Sequence, residues 1–221
     1  MAEIRDLRQV FITGGTGYLG RELIPELMAR GHQITALVRP GSERKLPANC
    51  RAVAGNALDE SSFAGSIRPA DTFVQLVGVP HPSPAKAKEF RAIDLVSVRA
   101  SVSAASRSGV RHFVYVSVAQ PAPMMKVYQQ VRAEGEALIR ASGMSATILR
   151  PWYILGPGHR WPYLLLPFYW LCERIPATRA GARRLGLVTL RQMIDALIGA
   201  VEHAPSGVRI MEVPEIKDGG T

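Results

Sequence analysis

Three glycines, Gly14, Gly17 and Gly20, stand in the stretch TGGTGYLG from Thr13 to Gly20, directly after the apolar run Val10-Phe11-Ile12. That run reads as a buried strand over Gln9 to Thr13, and the glycines fall where the strand turns into a helix. Without side chains the turn can be tight, a pyrophosphate can reach the backbone, and the helix N-terminus offers unpaired N–H groups and the positive end of its dipole. The spacing in this context predicts a bound dinucleotide; a turn built only for packing is the other reading. A second set is more widely spaced: Ser117 closes an apolar strand, Tyr128 follows eleven residues later near a helix start, and Arg132 lies four beyond it. Residues at i and i+4 share a helix face, so Arg132 is expected beside Tyr128, favouring the phenolate and touching a cofactor ribose, while Ser117 orients a substrate oxygen. Ordinary packing of the three is the alternative.

The second strand of such a fold normally ends near the adenosine ribose, where a carboxylate would bind the two hydroxyls of NAD. Here the region reads Leu37-Val38-Arg39, with no acid. A guanidinium at Arg39 suits a 2′-phosphate, so NADP(H) is preferred and NAD(H) stays admissible, with Arg44 and Lys45 close by to assist. Arg39 as a plain surface arginine is the competing reading.

The elements that must hold these groups alternate along the chain. After the first strand, Leu19, Leu23 and Leu27 mark a helix face closed near Gly31, with a kink expected at Pro25 because proline lacks the backbone donor. Strands are expected at Gln33 to Val38, Arg51 to Ala54, Thr72 to Val77, His112 to Val118, Ser145 to Arg150 and Val208 to Val213. Between them fall a short helix over Glu60 to Ile67, a helix with Phe90, Ile93, Val96 and Ala100 inward and an end at Gly109, and another from Val127 to Ala141. Thr189 and Gln192 have capping-box spacing, which starts a last helix near Leu190. Strand and helix in alternation imply parallel strands with right-handed crossovers, an α/β, Rossmann-like, doubly wound sheet.

Composition sets limits. With 47% hydrophobic and 20% charged residues, the 221-residue chain can bury a core and is neither disordered nor fibrous. Its net charge of +9 is scattered arginine, without the interleaved aromatics of a nucleic-acid surface, so no nucleic acid is expected. The opening MAEIRDLRQV lacks the apolar core of a signal peptide, which points to a cytoplasmic protein. The longest uncharged apolar run, Trp161 to Cys172, holds two prolines and falls short of the roughly 20 residues that span a bilayer. Cys50 and Cys172 are too few and too far apart for a disulfide framework or zinc site, and the five histidines have no metal-ligand spacing, so no metal site is expected. Of those histidines, His159 has the best claim to a functional place, near the presumed cleft.

With TGGTGYLG, GNALD at Gly55 to Asp59, HFVYVS at His112 to Ser117 and ILRPWYILGPG at Ile148 to Gly158, the chain resembles the short-chain dehydrogenase/reductases, in particular their extended and atypical, NmrA-like or epimerase-like members. The resemblance covers nearly the whole chain. It implies that Gly14, Thr16, Gly17, Tyr18, Leu19 and Gly20 hold the pyrophosphate, that Asn56 and Ala57 lie near the adenine, that Leu76, Val77 and Gly78 line the ribose, and that Pro151 to Tyr153 approaches the nicotinamide. Ser117 and Arg132 would also touch the cofactor. Two positions depart from the family. YxxxK becomes YQQVR from Tyr128 to Arg132, with Glu136 retained at the next interval, and Asn56 replaces an aspartate near the adenine. Arginine keeps the charge but does not titrate in practice, so it cannot pass a proton onward as lysine does.

About 70 residues follow Arg150, fewer than relatives acting on nucleotide sugars carry, which favours a small or lipophilic ligand. The aromatic stretch Trp161 to Pro176 reads as core packing, an apolar lid, a dimer contact or a peripheral membrane patch. The expectation is one NAD(P)-binding domain over residues 1–221, with 151–221 forming a small substrate or lid region, monomeric or homodimeric. Its activity would be NADP(H)-dependent oxidoreduction of a small carbonyl, alcohol or lipophilic substrate, with Tyr128 as acid/base. The alternative is a non-catalytic NADP(H)-dependent sensor that meets a partner or membrane.

Overall fold

A computed structural model describes residues 7–157, 174–175, 180–181 and 183–219. Nine strands and six helices organise them: β1 (Gln9–Thr13), α1 (Gly20–Ala29), β2 (Gln33–Val38), β3 (Arg51–Ala54), β4 (Thr72–Gln75), α2 (Ala87–Glu89), α3 (Val96–Ser108), β5 (His112–Val116), α4 (Lys126–Ala141), β6 (Ser145–Leu149), β7 (Tyr153–Leu155), β8 (Leu187–Thr189), α5 (Leu190–Glu202), β9 (Val208–Met211) and α6 (Val213–Lys217). Seven strands form one parallel sheet in the order β3-β2-β1-β4-β5-β6-β9, and β7 pairs with β8 in a separate ribbon. The expected doubly wound Rossmann-like sheet is present.

Strand alternation sends side chains to two cores. Val10, Ile12, Val74 and Val114 face α1 and α5, where Leu23, Ile24, Leu27, Met193, Leu197 and Val201 meet them. Phe11, Phe73, Phe113 and Tyr115 face α3 and α4 on the other side. Phe73 and Phe113, paired across β4 and β5, stack with ring centres 5.1 Å apart. Both faces being covered explains why these strands read as nearly continuous apolar runs. Between β1 and β4 the winding reverses, and the crevice beyond their carboxyl ends is where such sheets bind ligands.

Several expectations need correction. The stretch Glu60 to Ile67 forms two 3₁₀ turns, Glu60–Ser62 and Ala64–Ser66, rather than one helix; the Asp59 carboxylate caps the first by accepting the Ser61 N–H at 3.0 Å. Strands β4, β5, β6 and β9 end one to two residues earlier than read, because the chain leaves the sheet toward its loops. Val213 begins α6, whose Pro214 suits a first turn, instead of ending β9. The β7–β8 ribbon had not been foreseen. Helix α1 runs through Pro25 uninterrupted, with the proline on its solvent face. The largest correction lies before α3, where Phe90–Leu95 winds as a π-helix between α2 and α3. The wide turn rotates the following face, so that Val96 is 36% exposed while Asp94, Leu95 and Ser97 turn inward.

At the start of β5, burial pushes the His112 imidazole down to about 4, with the nearby Arg8 charge adding to the effect. Its Nε2 lies 3.0 Å from Thr147 Oγ1. The folded His112 stays neutral where the unfolded imidazole takes up a proton, so the fold loses stability as pH falls from the ordinary histidine value toward 4. The loss is on the order of 3 kcal/mol. Urea unfolding of His112→Gln across that range should show a flatter pH dependence than wild type by about this amount; identical curves would remove His112 as the cause.

Candidate functional site

The chain leaves β1 at Thr13, whose carbonyl accepts the Leu76 N–H at 3.0 Å, and turns at once. Gly14 has φ +77, and a Cβ there would lie 2.8 Å from the Leu76 carbonyl carbon and 2.9 Å from the Val77 nitrogen. A Cβ on Gly20 would come within 2.6 Å of the Gly14 oxygen and the Gly15 backbone. These two glycines are thus demanded by the approach of backbones. Gly17, whose N–H donates to Gly14 O at 2.9 Å, is exposed. No side chain caps α1, which begins after Leu19; the Arg21 N–H donates to Gly17 O at 3.2 Å, and the Glu22 and Leu23 N–H groups donate to Leu19 O at 3.2 and 2.9 Å. Thr16 and Tyr18 are half-buried in the turn, and Tyr18 packs its hydroxyl against Gly156 at the end of β7.

Arg39 is exposed where β2 ends, and exposed Arg44 and Lys45 share the following turn. Gly55 donates to Val38 O at 2.9 Å, which sets Asn56 and Ala57 at the neighbouring strand end. Asn56 Oδ1 accepts the Leu58 N–H at 3.0 Å, so the side chain that replaces the family's aspartate shapes its own loop. Leu76, Val77 and Gly78 lie half-buried across the crevice. Pro151 is buried, with its carbonyl accepting from Ala119 N at 3.0 Å, and Tyr153 opens β7. His159 and the stretch Trp161 to Pro176, apart from Arg174 and Ile175, lie outside the described residues.

Tyr128 and Arg132 do meet. The Arg132 guanidinium carbon lies 5.0 Å from the centre of the Tyr128 ring and 5.6 Å from that of Tyr115. Arg132 is only 6% exposed. Its Nη2 donates to Asp94 Oδ1 at 2.6 Å, and its Nη1 donates to Val116 O at 3.0 Å and the Tyr115 hydroxyl at 3.4 Å. Burial works against the Arg132 charge, but Tyr128, Tyr115 and Asp94 outweigh it and raise the guanidinium further above its ordinary value. Burial also raises the Asp94 carboxyl, against the pull of Arg132 and the Val79 N–H. A Cβ on Gly78 would come within 2.6 Å of Arg132 Nη2, so a glycine there makes room for the guanidinium.

Ser117 belongs to a different network. It is 3% exposed, and its Oγ donates to Glu136 Oε1 at 2.6 Å. Glu136 also accepts from Gln120 Nε2 and from Arg150 Nε, each at 2.9 Å, and pairs with Arg150 Nη2. Arg150 reaches on to Glu212 Oε1 at 2.9 Å, at the N-terminus of α6. In this arrangement the Ser117 proton is directed to a carboxylate rather than to the crevice. Sequence reading passed over Asp94, Tyr115, Arg150 and Glu212. The available signal was a carboxylate between Ile93 and Leu95 in an otherwise apolar stretch.

A family model described as NAD(P)H-binding matches residues 14–160, about two thirds of the chain. The chain belongs to the NAD(P)H-binding family. Its fold is Rossmann-like, as in a short-chain dehydrogenase/reductase superfamily protein from Agrobacterium tumefaciens that superposes with a TM-score of 0.67 at 18% identity, over 92% of this chain and 77% of that one. It is 30% identical over 154 residues to ceramide reductase of Caulobacter vibrioides, covering 67% of this chain and 47% of that protein. It is 26% identical over 229 residues to 3-diazoavenalumate denitrifying reductase of a Streptomyces species, covering 90% and 74%. The chain therefore spans about half the length of the first of these relatives. Among solved structures, the Bordetella bronchiseptica enzyme WbmH in complex with NAD+ superposes with a TM-score of 0.68 at 20% identity, over 96% of this chain and 80% of that one. A likeness at that identity speaks to the fold. Among the described residues no helix is long and apolar enough to cross a membrane.

The close approach at Gly14 can be separated from its backbone strain. Gly41 has a similar φ of +82 but nothing within 4 Å of a Cβ. Gly41→Ala should cost about 1–2 kcal/mol from conformation alone. Gly14→Ala should cost clearly more in chemical denaturation, because strand β4's exit must also shift; equal losses would mean that the two backbones yield freely.

Proposed function

We propose that the chain is an NADP(H)-dependent oxidoreductase that interconverts a carbonyl and an alcohol on a small or lipophilic substrate. The observation that carries this reading is the buried Arg132 guanidinium held against Tyr128 and beside Gly78. Its Nε–H is buried and has no hydrogen-bond partner among the described residues. The relatives being reductases supports the same class.

The residues fit the cofactor. The turn from Gly14 to Gly20 with the uncapped N-terminus of α1 would take the pyrophosphate, Asn56 and Ala57 the adenine side, and Leu76 to Gly78 with Arg132 the ribose. Pro151 and Tyr153 would face the nicotinamide. Exposed Arg39, with Arg44 and Lys45, would pair with a 2′-phosphate. When bound, the cofactor supplies or accepts hydride.

Tyr128 would donate its phenolic proton to the substrate oxygen, or withdraw it in the reverse direction. Arg132 would stabilise the phenolate left behind, as a fixed charge that holds its protons. Tyr128 then recovers its proton from solvent rather than through residue 132. Ser117, whose hydroxyl donates to Glu136, would hold the wall of the crevice in place instead of polarising a carbonyl. The chain would work as a single domain in the cytoplasm, monomeric or homodimeric, with residues 151–221 covering the substrate side.

The Ser117–Glu136 bond and the untitrating Arg132 favour one second reading, a non-catalytic NADP(H)-dependent sensor that meets a partner or membrane. NADPH oxidation, followed by absorbance across apolar ketones, aldehydes and quinones, separates the two. Under the enzyme reading Tyr128→Phe lowers turnover by about 10²–10⁴-fold while NADPH affinity stays near wild type. Turnover unchanged in Tyr128→Phe would remove this tyrosine from the chemistry, and NADPH binding without turnover by wild type would favour the sensor. Arg39→Ala should weaken NADPH binding about tenfold, roughly the worth of one charge-assisted pair, and leave NADH binding unchanged. An equal effect on both nucleotides would place Arg39 away from the 2′-phosphate.

A further inference from the structure

The glycine turn and Arg132 lie at the carboxyl edge of the sheet, and the opposite edge carries two clefts of its own. The larger, about 460 Å³, opens at the starts of β1, β2 and β3; the smaller, about 310 Å³, adjoins it across Pro69 and Ala70. Ladder neighbours on one sheet face line the larger cleft. Gln9 stands beside Gln33 between β1 and β2, and Thr35 beside Arg51 between β2 and β3. By the alternation of strands these four share a face with Phe11, Leu37 and Val53, but they are polar where those are apolar. On this side the chain passes from β3 to β4 in two 3₁₀ turns, whose Phe63 stacks on Phe11 with ring centres 6.1 Å apart. Cover stops there, and Gln33 and Arg51 stay exposed.

The polar groups of the cleft are unspent. Among the described residues the carboxamides of Gln9, Gln33 and Asn49 and the Thr35 hydroxyl make no hydrogen bond. Arg51 in the larger cleft, and Arg68 and Arg111 in the smaller, are exposed and form no ion pair among the described residues. Arg30, Arg107 and Arg140 sit at helix C-termini on this edge, where a cation offsets the dipole, and each has a carboxylate partner. Arg51 opens a strand and serves neither purpose. Asp71, in the smaller cleft, is already engaged, accepting the Gln9 N–H at 3.0 Å and the Thr72 hydroxyl at 2.7 Å. His32 accepts the Arg8 N–H on Nδ1 at 3.1 Å and turns Nε2 to Glu202 at 3.3 Å, so it forms wall rather than a contact for a ligand.

We propose that the larger cleft is a second binding site, for a soluble phosphate ester of a small polyol, the chemistry of a sugar phosphate. Arg51 would pair with the phosphate, while Arg68 and Arg111 add to its attraction from the adjoining cleft. Gln9, Gln33, Asn49 and Thr35 would meet the hydroxyls. A carboxamide offers both donors and an acceptor, which suits an array of hydroxyls and is wasted on a bare anion. The volume is that of small-molecule sites. Five strand residues, roughly 17 Å of extended chain, separate this cleft from the glycine turn, so the site stands whether or not the crevice holds a cofactor.

NMR titration of the ¹⁵N-labelled full-length chain with glucose 6-phosphate, inorganic phosphate and glucose tests this. The side-chain amide resonances of Gln33 and Asn49 should shift saturably with glucose 6-phosphate, at least about tenfold tighter than with inorganic phosphate or glucose. Arg51→Gln should weaken glucose 6-phosphate and inorganic phosphate alike, each about tenfold, and Gln33→Ala should weaken glucose 6-phosphate alone. Both side chains are exposed, so neither change disturbs packing. Equal affinity for glucose 6-phosphate and inorganic phosphate would mean charge attraction only and would overturn the proposal. Shifts confined to residues 14–20, or Arg51→Gln binding as wild type does, would overturn it too. So would binding to phosphatidylglycerol vesicles without binding to the soluble ester, since a membrane surface would then be the occupant.

Discussion

Two backbones meet at the carboxyl edge of the sheet, and nothing larger than a hydrogen atom fits between them. Thr13 pairs with Gln75 in the ladder between β1 and β4, and one residue later Gly14 has to pass the Leu76–Val77 peptide at contact distance. Any side chain at residue 14 would push the start of α1 away from the sheet. Helix α1 could not then bring Leu23, Ile24 and Leu27 onto Val10 and Ile12, nor meet α5. The exit of β1, the start of α1 and the packing of that helix on the sheet are therefore results of one constraint.

A second constraint is electrostatic and runs along α4. Arg132 and Glu136 are one helical turn apart and both are buried, but they serve opposite neighbours. Arg132 pairs with Asp94 on the π-helix, while Glu136 gathers Ser117, Gln120 and Arg150. Removing one member of a buried pair costs roughly 3–5 kcal/mol, since it strands the other charge, whereas exposed pairs such as Arg91–Glu134 are worth little. Helix α4 is thereby tied to α3's approach, to β5 and to β6 at fixed angles. The Tyr128 ring, clasped between Phe90 and the Arg132 guanidinium, inherits that fixity.

Much of this was legible in the residues. The parallel strands announced themselves as apolar runs, the β1-to-α1 turn as three glycines, and the last helix as the Thr189–Gln192 capping box, which forms with both of its hydrogen bonds. The meeting of Tyr128 and Arg132 followed from helical spacing. What escaped was what depends on partners far away in the chain. Asp94 shows in the sequence only as an acid between Ile93 and Leu95; the wide turn decides which way it faces, and Arg132 lies thirty-eight residues away. Spacing rules assume 3.6 residues per turn, so a π-helix defeats them at Val96. Ser117 was read for its hydroxyl and its place at a strand end, and neither discloses that Glu136 accepts its hydrogen bond.

The central claim is that the glycine turn, Arg39 and the Gly78–Arg132 wall together make one site for a nicotinamide dinucleotide with a 2′-phosphate. Calorimetric titration of the wild-type chain with NADPH and, on the same preparation, with NADH tests it most directly. The account predicts one NADPH bound per chain, at least about tenfold tighter than NADH, the difference expected of a charge-assisted phosphate contact. Absence of binding by either nucleotide would contradict it.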